Sequence, residues 1–484
     1  MKNWFDHILF HARAQREKPA MLVEDRGVTY GMLLLAIERC ARRLNDLNIG
    51  RDGVVAVLVK NPIRHLTLCL ALYRIGIVTM SLEHSQSGIR ELKFTAVLAD
   101  AEANGLLDPA NRVIEVGDAW FGDDPVDSNT LPAAFFDSSQ ICRHSLTSGA
   151  TGAPKLVTHT VEAIGRRIPP FIDFNWRIAL CMPGLSSIWG FTTACAVLAT
   201  GRTLCFAASP HQAIRMIELF SIDFVMASTE QLLAMTRVAR TSGAQVRSLR
   251  NVWVGGNVPS RALLEAAMIY LCKNILCRYA GSELGHMAQA PASEVMANPG
   301  LVGQVIPEVE VAIFDPRGGR CPPGQIGLVR ACLKGDRLGP LPDTDVDQAT
   351  WVNLSDLGWL TADDRLYIVG RTADLAADGL QDLSAPISSV YDVEQILRLE
   401  WDTTDAAAAL IDGQGGTGTQ IWIGMVDGKD ATAEKLSAVL RARGLNIPIR
   451  LFEMKSIPRG ANGKVNRTEL RSIMLSSAGT TRES

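Results

Sequence analysis

The sequence predicts an α/β protein: a large N-terminal region of sheets covered by helices, followed by a small α+β unit. Three observations carry this reading. Short apolar runs alternate with helical patterns over the first hundred residues, and strand follows strand beyond about residue 300. The last ~110 residues hold helix, strand, strand, helix and strand patterns of their own. In chain order, Val54-Val55-Ala56-Val57-Leu58-Val59 reads as a buried strand. Leu66, Leu70 and Tyr73, with Cys69 between, recur at helical spacing and predict a helix ending at Gly76. Ile77 to Leu82 is a second strand-like run, and Arg90 to Leu98 reads as a second amphipathic helix. Such β-α-β-α alternation builds a largely parallel, helix-covered sheet. Val309 to Phe314 and Ile326 to Arg330 read as strands separated by Pro/Gly-rich turns. Residues 335–350, with Gly335, Gly339, Pro340, Pro342 and four aspartates, read as an exposed loop. The final unit starts at about residue 374, and the small polar tail after Leu475 is expected to fray.

Length and composition narrow the functional classes. A chain of 484 residues is too long for one ordinary domain. With 47% hydrophobic and 20% charged residues it has the balance of a soluble globular protein, not of a disordered one. The 48 Lys and Arg against 51 Asp and Glu leave a net charge of −3, so no basic excess drives a general nucleic-acid or anionic-membrane role. Ten cysteines show no CxxC pair and no clustering with histidine, which argues against a zinc site or disulfide scaffold and for reduced thiols. The start reaches Asp6 before any long apolar core, unlike a signal peptide. Between Arg177 and Arg202 the chain is uncharged for long enough to span a bilayer. Pro183, Gly184, Ser186, Ser187 and Gly190 interrupt it, and a buried core segment is expected. The expectation is a soluble cytoplasmic protein with no nucleic-acid partner and no membrane span, and a homodimer as the commonest default.

Two lysine-bearing loops could carry chemistry. Ser145-Leu146-Thr147-Ser148-Gly149-Ala150-Thr151-Gly152-Ala153-Pro154-Lys155 combines small hydroxyls, two glycines and a terminal lysine, so its N–H groups, hydroxyls and ammonium can wrap phosphate oxygens. It is not a P-loop, because Pro154 separates the last glycine from Lys155. Pro458-Arg459-Gly460-Ala461-Asn462-Gly463-Lys464-Val465 also fails that pattern, with Val465 in place of Ser/Thr. Composition alone fits solvated surface turns equally well. Gly413-x-Gly415-x-x-Gly418 formally matches a dinucleotide fingerprint. It lies between two strand-like runs with no helix following, so a hairpin loop is expected instead.

These loops, in this order, resemble the adenylate-forming superfamily of acyl-CoA synthetases, peptide-synthetase adenylation domains and luciferases, most closely a stand-alone AMP-dependent acyl-CoA synthetase. The glycine-rich loop is similar to the family's TSGTTGxPKG signature, and Asn251-Val252-Trp253-Val254-Gly255-Gly256 to its adenine-side segment. Tyr279-Ala280-Gly281-Ser282-Glu283 resembles YGxTE, and Gly303 to Gly327 the VGxPxPGxExxIxD…PPGExGE stretch. Asp356-Leu357-Gly358-Trp359 with Leu366-Tyr367-Ile368-Val369-Gly370-Arg371 resembles TGD…GYLYIxGR, and Pro458 to Arg467 resembles PxTxxGKIxR. The resemblance runs from the Thr29-Tyr30 region to Leu470, with six motifs in register.

The resemblance implies an N-terminal ATP- and acyl-binding domain over 1–371 and a small mobile lid over 372–484 that carries a catalytic lysine. It also implies two half-reactions: a carboxylate attacks the α-phosphorus of ATP with release of pyrophosphate, and CoA or another acceptor then takes the acyl group. An anion meeting a polyanion needs positive charge and donors aimed at the transition state. By the resemblance, Thr147, Ser148, Gly149, Thr151, Gly152 and Lys155 would bind ATP, with the hydroxyls and Lys155 on the β- and γ-phosphates. Glu283 would ligate Mg²⁺, and Ser282 would contact the α-phosphate. Gly255, Gly256 and Tyr279 would frame the adenine, and Asp356 would accept from the ribose hydroxyls with Arg371 beside it. Lys464 would bridge carboxylate and phosphate during adenylation.

The sequence also departs from the family pattern. Ala150 and Leu156 replace a hydroxyl residue and a glycine of the phosphate loop, and Ala280 and Cys277 replace the usual Gly and Asn around Tyr279. Pro183 to Gly190 lacks the common histidine or aromatic of the acyl-pocket region and carries serines there. Ala373 stands where Asp or Lys is usual, Asp378-Gly379-Leu380-Gln381-Asp382 replaces GGENI, and extra residues span about Ala385 to Tyr391. The first expectation is a carboxylate–CoA ligase. The alternatives are an adenylating enzyme that loads a carrier-protein pantetheine or an amine, and a degenerate nucleotide- or acyl-binding protein. The apolar residues 178–200 suggest an apolar acyl or aryl monocarboxylate as substrate.

Overall fold

Apolar runs become the inner strands. The structure, a computed structural model, describes residues 3–480 other than 25, 51–52, 85–91, 104, 123–136, 149–153, 173, 335–350, 373–387, 402, 404, 413–418, 429, 443–444, 447 and 460–464. At 147, 148, 154, 388, 389, 412, 419, 479 and 480 only the backbone is described. Val54–Leu58 pairs in parallel with Val78–Ser81 and with Ala96–Ala99, and their side chains are almost all buried, as in strands covered on both faces. Ala96–Ala99 lies where the sequence reading expects the helix over Arg90 to Leu98. Four apolar residues in a row suit a helix face or an inner strand, and pairing with Val54–Leu58 on one side and Val113–Glu115 on the other decides for the strand. The helix expected before Gly76 is present as Pro62–Arg74.

Among the described residues there are three sheets, of thirteen, six and three strands. The core of the largest is parallel: Thr203–Phe206, Ile178–Cys181, Phe224–Ser228, Asn251–Gly255 and Ile275–Gly281 lie side by side. From Ile275–Gly281 onward the sheet turns antiparallel, through Gly285–Pro291, Leu301–Val305, Arg365–Arg371 and Val352–Leu360 to Gly327–Leu333 and Val309–Phe314. Gly303 permits one of these pairings. A Cβ there would stand 2.0 Å from the Gln289 carbonyl carbon, and its φ of 129° already excludes other residues.

The uncharged stretch after Arg177 resolves into the strand Ile178–Cys181 and the helix Ile188–Ala199, which is buried on every side except at Trp189. Among the described residues no helix is long and apolar enough to cross a membrane. All ten cysteines are free, and all but Cys321 are buried.

The C-terminal unit is built on Asp405–Asp412 and Thr419–Val426, paired antiparallel, with Ile449–Glu453 parallel to the latter. The glycines at 413, 415 and 418 lie outside the described residues, but the strands flanking them form a hairpin, not a βαβ unit. The helix Ser388–Glu400 joins this unit to the large one. Its Val393, Ile396 and Leu397 share a core with Leu232, Leu233 and Leu263. The Gln395 side chain accepts from the Ser260 N–H at 2.7 Å and donates to the Val258 carbonyl at 3.0 Å. Arg398 pairs with Glu230, and Arg240 donates to the Leu399 carbonyl. The expected boundary at 371 abuts residues 373–387, outside the described residues, as are Ala373 and the segment Asp378 to Asp382.

Candidate active site

Open α/β sheets bind ligands beyond the carboxyl ends of their parallel strands. Here those ends are Ser228, Gly255 and Gly281. Gly255 stands opposite Arg278 on the next strand, and a Cβ on it would come within 2.9 Å of the Arg278 carbonyl oxygen. Gly256, at φ 85°, turns the chain into a loop whose Asn257 carbonyl accepts from the Thr229 hydroxyl at 2.7 Å. Gly256, Asn257, Tyr279, Asp356, Ile368 and Arg371 line a cleft with an empty volume of about 790 Å³, its open mouth included.

Three expected site residues meet in this cleft. The Tyr279 hydroxyl donates to the Asp356 carboxylate at 2.5 Å. Asp356 and Arg371 face each other across an antiparallel strand pair, with Arg371 Nε 3.8 Å from Asp356 Oδ1. Burial, then the charge of Asp356, push the Tyr279 phenol well above its ordinary pKa, so Tyr279 stays a donor. Ser355, immediately before Asp356, adopts the left-handed φ of 58°, and the Thr372 hydroxyl donates to its carbonyl at 3.2 Å. Such a conformation persists in a residue other than glycine only where its surroundings hold it.

A second group forms on the turn after Ile275–Gly281. Lys155 Nζ lies 3.6 Å from Glu283 Oε1. Arg167 holds this turn from behind, donating to the carbonyls of Ser282 at 2.7 Å and Glu283 at 3.5 Å. Burial pushes the Arg167 guanidinium down to about 10, still charged at neutral pH. The expected phosphate loop is in part a hairpin: Ile141–Ser148 pairs with Pro154–Thr160, Thr147 opposite Lys155 and Ser148 opposite Pro154. The sequence reading takes Ser145 to Ser148 as loop, but small hydroxyl residues are compatible with an extended strand. The side chains of Thr147 and Ser148 are not described, and Gly149, Thr151, Gly152 and Lys464 lie outside the described residues.

Other residues emerge only in three dimensions. Arg167 is half of an Arg166-Arg167 pair, which is its one sequence signal. Tyr391, in a segment the sequence reading takes as additional residues, lines the cleft from the C-terminal unit with the Arg467 guanidinium 4.5 Å from its ring centroid. The serines near Gly190 are committed to local structure. Ser186 donates to Glu83, and Ser187 donates to the Gly184 carbonyl at 2.7 Å while accepting from the Gly190 N–H at 3.0 Å. Among the described residues no group of three or more His, Cys, Asp or Glu could hold a metal ion by itself. One carboxylate, Glu283, at a prospective phosphate site fits Mg²⁺, which keeps several waters and takes further ligands from phosphate oxygens.

Residues 10–337 match the family model described as AMP-binding enzyme, and the chain belongs to this family of adenylate-forming enzymes. It is 23% identical to 4-coumarate–CoA ligase 2 of Petroselinum crispum, over 93% of this chain and 89% of the relative. Its fold is similar to that of o-succinylbenzoate CoA synthetase from Bacillus subtilis, solved in complex with an acyl-adenylate intermediate. The TM-score is 0.77 at 20% identity, covering 97% of this chain and 98% of that one. It is also similar to an amide bond synthetase from Marinactinospora thermotolerans, with a TM-score of 0.73 at 21% identity over 96% of this chain and 99% of that one.

Proposed function

We propose that the protein activates a carboxylic acid as its acyl-adenylate and passes the acyl group to the thiol of CoA, with 1–371 as the ATP- and acyl-binding domain and 372–484 as the lid. The observation that carries the reading is the meeting of Tyr279, Asp356 and Arg371 at one cleft mouth with Gly256. Asp356 accepts from the ribose hydroxyls while Tyr279 and Arg371 fix its carboxylate. Gly255 and Gly256 let the backbone approach the adenine. Thr147, Ser148 and Thr151 with the N–H groups of Gly149 and Gly152 bind phosphate oxygens, and Lys155 supplies a positive charge there. Arg167 holds the Ser282–Glu283 turn so that the Ser282 hydroxyl meets the α-phosphate. Glu283 is the carboxylate suited to Mg²⁺, which when bound supplies further positive charge against the phosphates.

In the first half-reaction a substrate carboxylate oxygen bonds to the α-phosphorus and the bond to pyrophosphate breaks, with Lys464 between the two anions. In the second, the thiol sulfur bonds to the acyl carbon, AMP leaves and the thiol proton goes to solvent. A carrier-protein pantetheine or an amine is the alternative acceptor, and Ala373 with Asp378 to Asp382 favours it. Retention of Lys464, Asp356 and Glu283 argues against a binding protein without turnover. ATP–pyrophosphate exchange over a panel of acids tests adenylation, and acyl-CoA formation on addition of free CoA tests the acceptor.

A further inference from the structure

One wall of the cleft carries a basic side chain, Arg278, for which the proposed chemistry has no use. Successive residues of a strand face opposite sides of the sheet, so Arg278 points away from Tyr279, to the face that carries Trp253 and Gly255. Its guanidinium stacks over Trp253, 4.1 Å from the ring centroid, and Arg278 also lines the cleft. The Arg278 Nε is closed off from solvent without a partner, and among the described residues the guanidinium has no hydrogen bond or ion pair. His286 stands opposite Ala280, two residues on from Arg278, and so shares the same face. Its Nε2 is likewise buried without a partner. Trp189 reaches over Gly255 onto this face, with Cη2 3.6 Å from where a Cβ on Gly255 would stand.

The terminal nitrogens of Arg278, which have no partner among the described residues and are not closed off from solvent, are donors left for a ligand in the cleft, and one indole face meets the charge only in part. Burial pushes Arg278 down to about 9, still charged at neutral pH, and holds the His286 imidazole well below its ordinary value, hence neutral. Within residues 178–200, whose apolar character suggests an apolar monocarboxylate, the helix Ile188–Ala199 is core: apart from Trp189 its residues are buried. Packing accounts for the composition of that helix.

We propose that Arg278 binds a second acidic group of the acid substrate, which is a planar, aromatic acid carrying one carboxylate for adenylation and another acidic group for this guanidinium. The proposal rests on the adenylating reading of the cleft. Trp189, half-buried beside Gly255, suits the aromatic body, and the unmet Arg278 donors reject an acid lacking the second group, because they stay unpaired when it binds.

The test is equilibrium binding to the full chain, by intrinsic tryptophan fluorescence and by calorimetry, of benzene-1,4-dicarboxylate, benzene-1,3-dicarboxylate and 4-carboxycinnamate against benzoate and cinnamate. A dicarboxylate is expected to bind at least ~10-fold more tightly than its monocarboxylate partner. Arg278→Leu should bring it down to the monocarboxylate level, and Arg278→Lys should restore part of the difference. Arg278→Gln, which keeps a polar side chain over Trp253 but no charge, gives the same comparison should Arg278→Leu fail to fold. Equal affinities, no binding of any dicarboxylate, or an equal loss for both sets in the variants overturns the proposal. Pyrophosphate exchange with the same acids separates the two readings. Arg278-dependent binding without exchange removes adenylation and keeps the subsite, whereas exchange with benzoate or cinnamate alone keeps adenylation and removes the subsite.

Discussion

Tyr279 and Asp356 are 77 positions apart in the chain, yet a 2.5 Å hydrogen bond joins them. Asp356→Ala would leave the Tyr279 hydroxyl and Arg371 without their shared carboxylate and remove the proposed acceptor for the ribose. Bonds to charged groups contribute ~1.5–3 kcal/mol each, so exchange is expected to fall at least ~100-fold, chiefly through the KM for ATP. Tyr279→Phe keeps Arg371 beside Asp356 and should cost nearer ~10-fold; steady-state exchange kinetics on both variants check the ranking. Asp356, Arg371, Glu283 and Lys155 were legible in the sequence because each sits in a motif of recognisable spacing. Arg167 and Arg278 were not, since what marks them is the turn one holds and the unmet charge of the other, and neither is a property of local sequence. Ser186 and Ser187, the serines of the segment similar to the acyl-pocket region, have as partners Glu83 and the backbone of their own loop, which local sequence does not show.

At the scale of elements, strand pairing assembles the site. Asp356 and Arg371 face each other because Val352–Leu360 and Arg365–Arg371 form one antiparallel pair, so the sequence motif is a register made visible. The same sheet gives a stability prediction at Gly303, where a Cβ would overlap the backbone of Gln289 at 2.0 Å. Gly303→Ala should destabilise by more than ~3 kcal/mol in denaturant unfolding, whereas Gly117→Ala, with nothing within 4 Å, should stay within ~0.5 kcal/mol. Arg90 to Leu98 shows where periodicity gave out, because a run of four buried residues carries no period and the neighbouring strands decided. The helix Ser388–Glu400 adds a pH prediction. Burial pushes the Asp392 carboxyl up to about 7. The folded state therefore keeps a proton that the unfolded chain has already lost, and stability falls as pH rises from the ordinary aspartate range through 7. Asp392→Asn should abolish that fall, being more stable than the parent at pH 8 and alike at pH 4; chemical denaturation at the two pH values checks it.

At the scale of the whole molecule, the β-α-β-α rhythm and the later run of strands foretold the architecture, because each element had to bury an apolar face against its neighbour. How the C-terminal unit seats on the large one was not legible. The docking helix carries its contacts, Gln395 to Ser260 and Arg398 to Glu230, just beyond the additional residues about Ala385 to Tyr391, and no motif marks them. The central claim joins both units: the large one supplies the nucleotide cleft and the lid supplies Lys464. It is tested most directly by ATP–pyrophosphate exchange over aromatic mono- and dicarboxylic acids, with the parent protein, Asp356→Ala and Lys464→Ala side by side. Acid-dependent exchange in the parent, strongly reduced in Asp356→Ala and lost in Lys464→Ala, is the result the account predicts. Exchange that survives Lys464→Ala undiminished, or a parent protein that binds ATP and an acid yet shows no exchange, would contradict it.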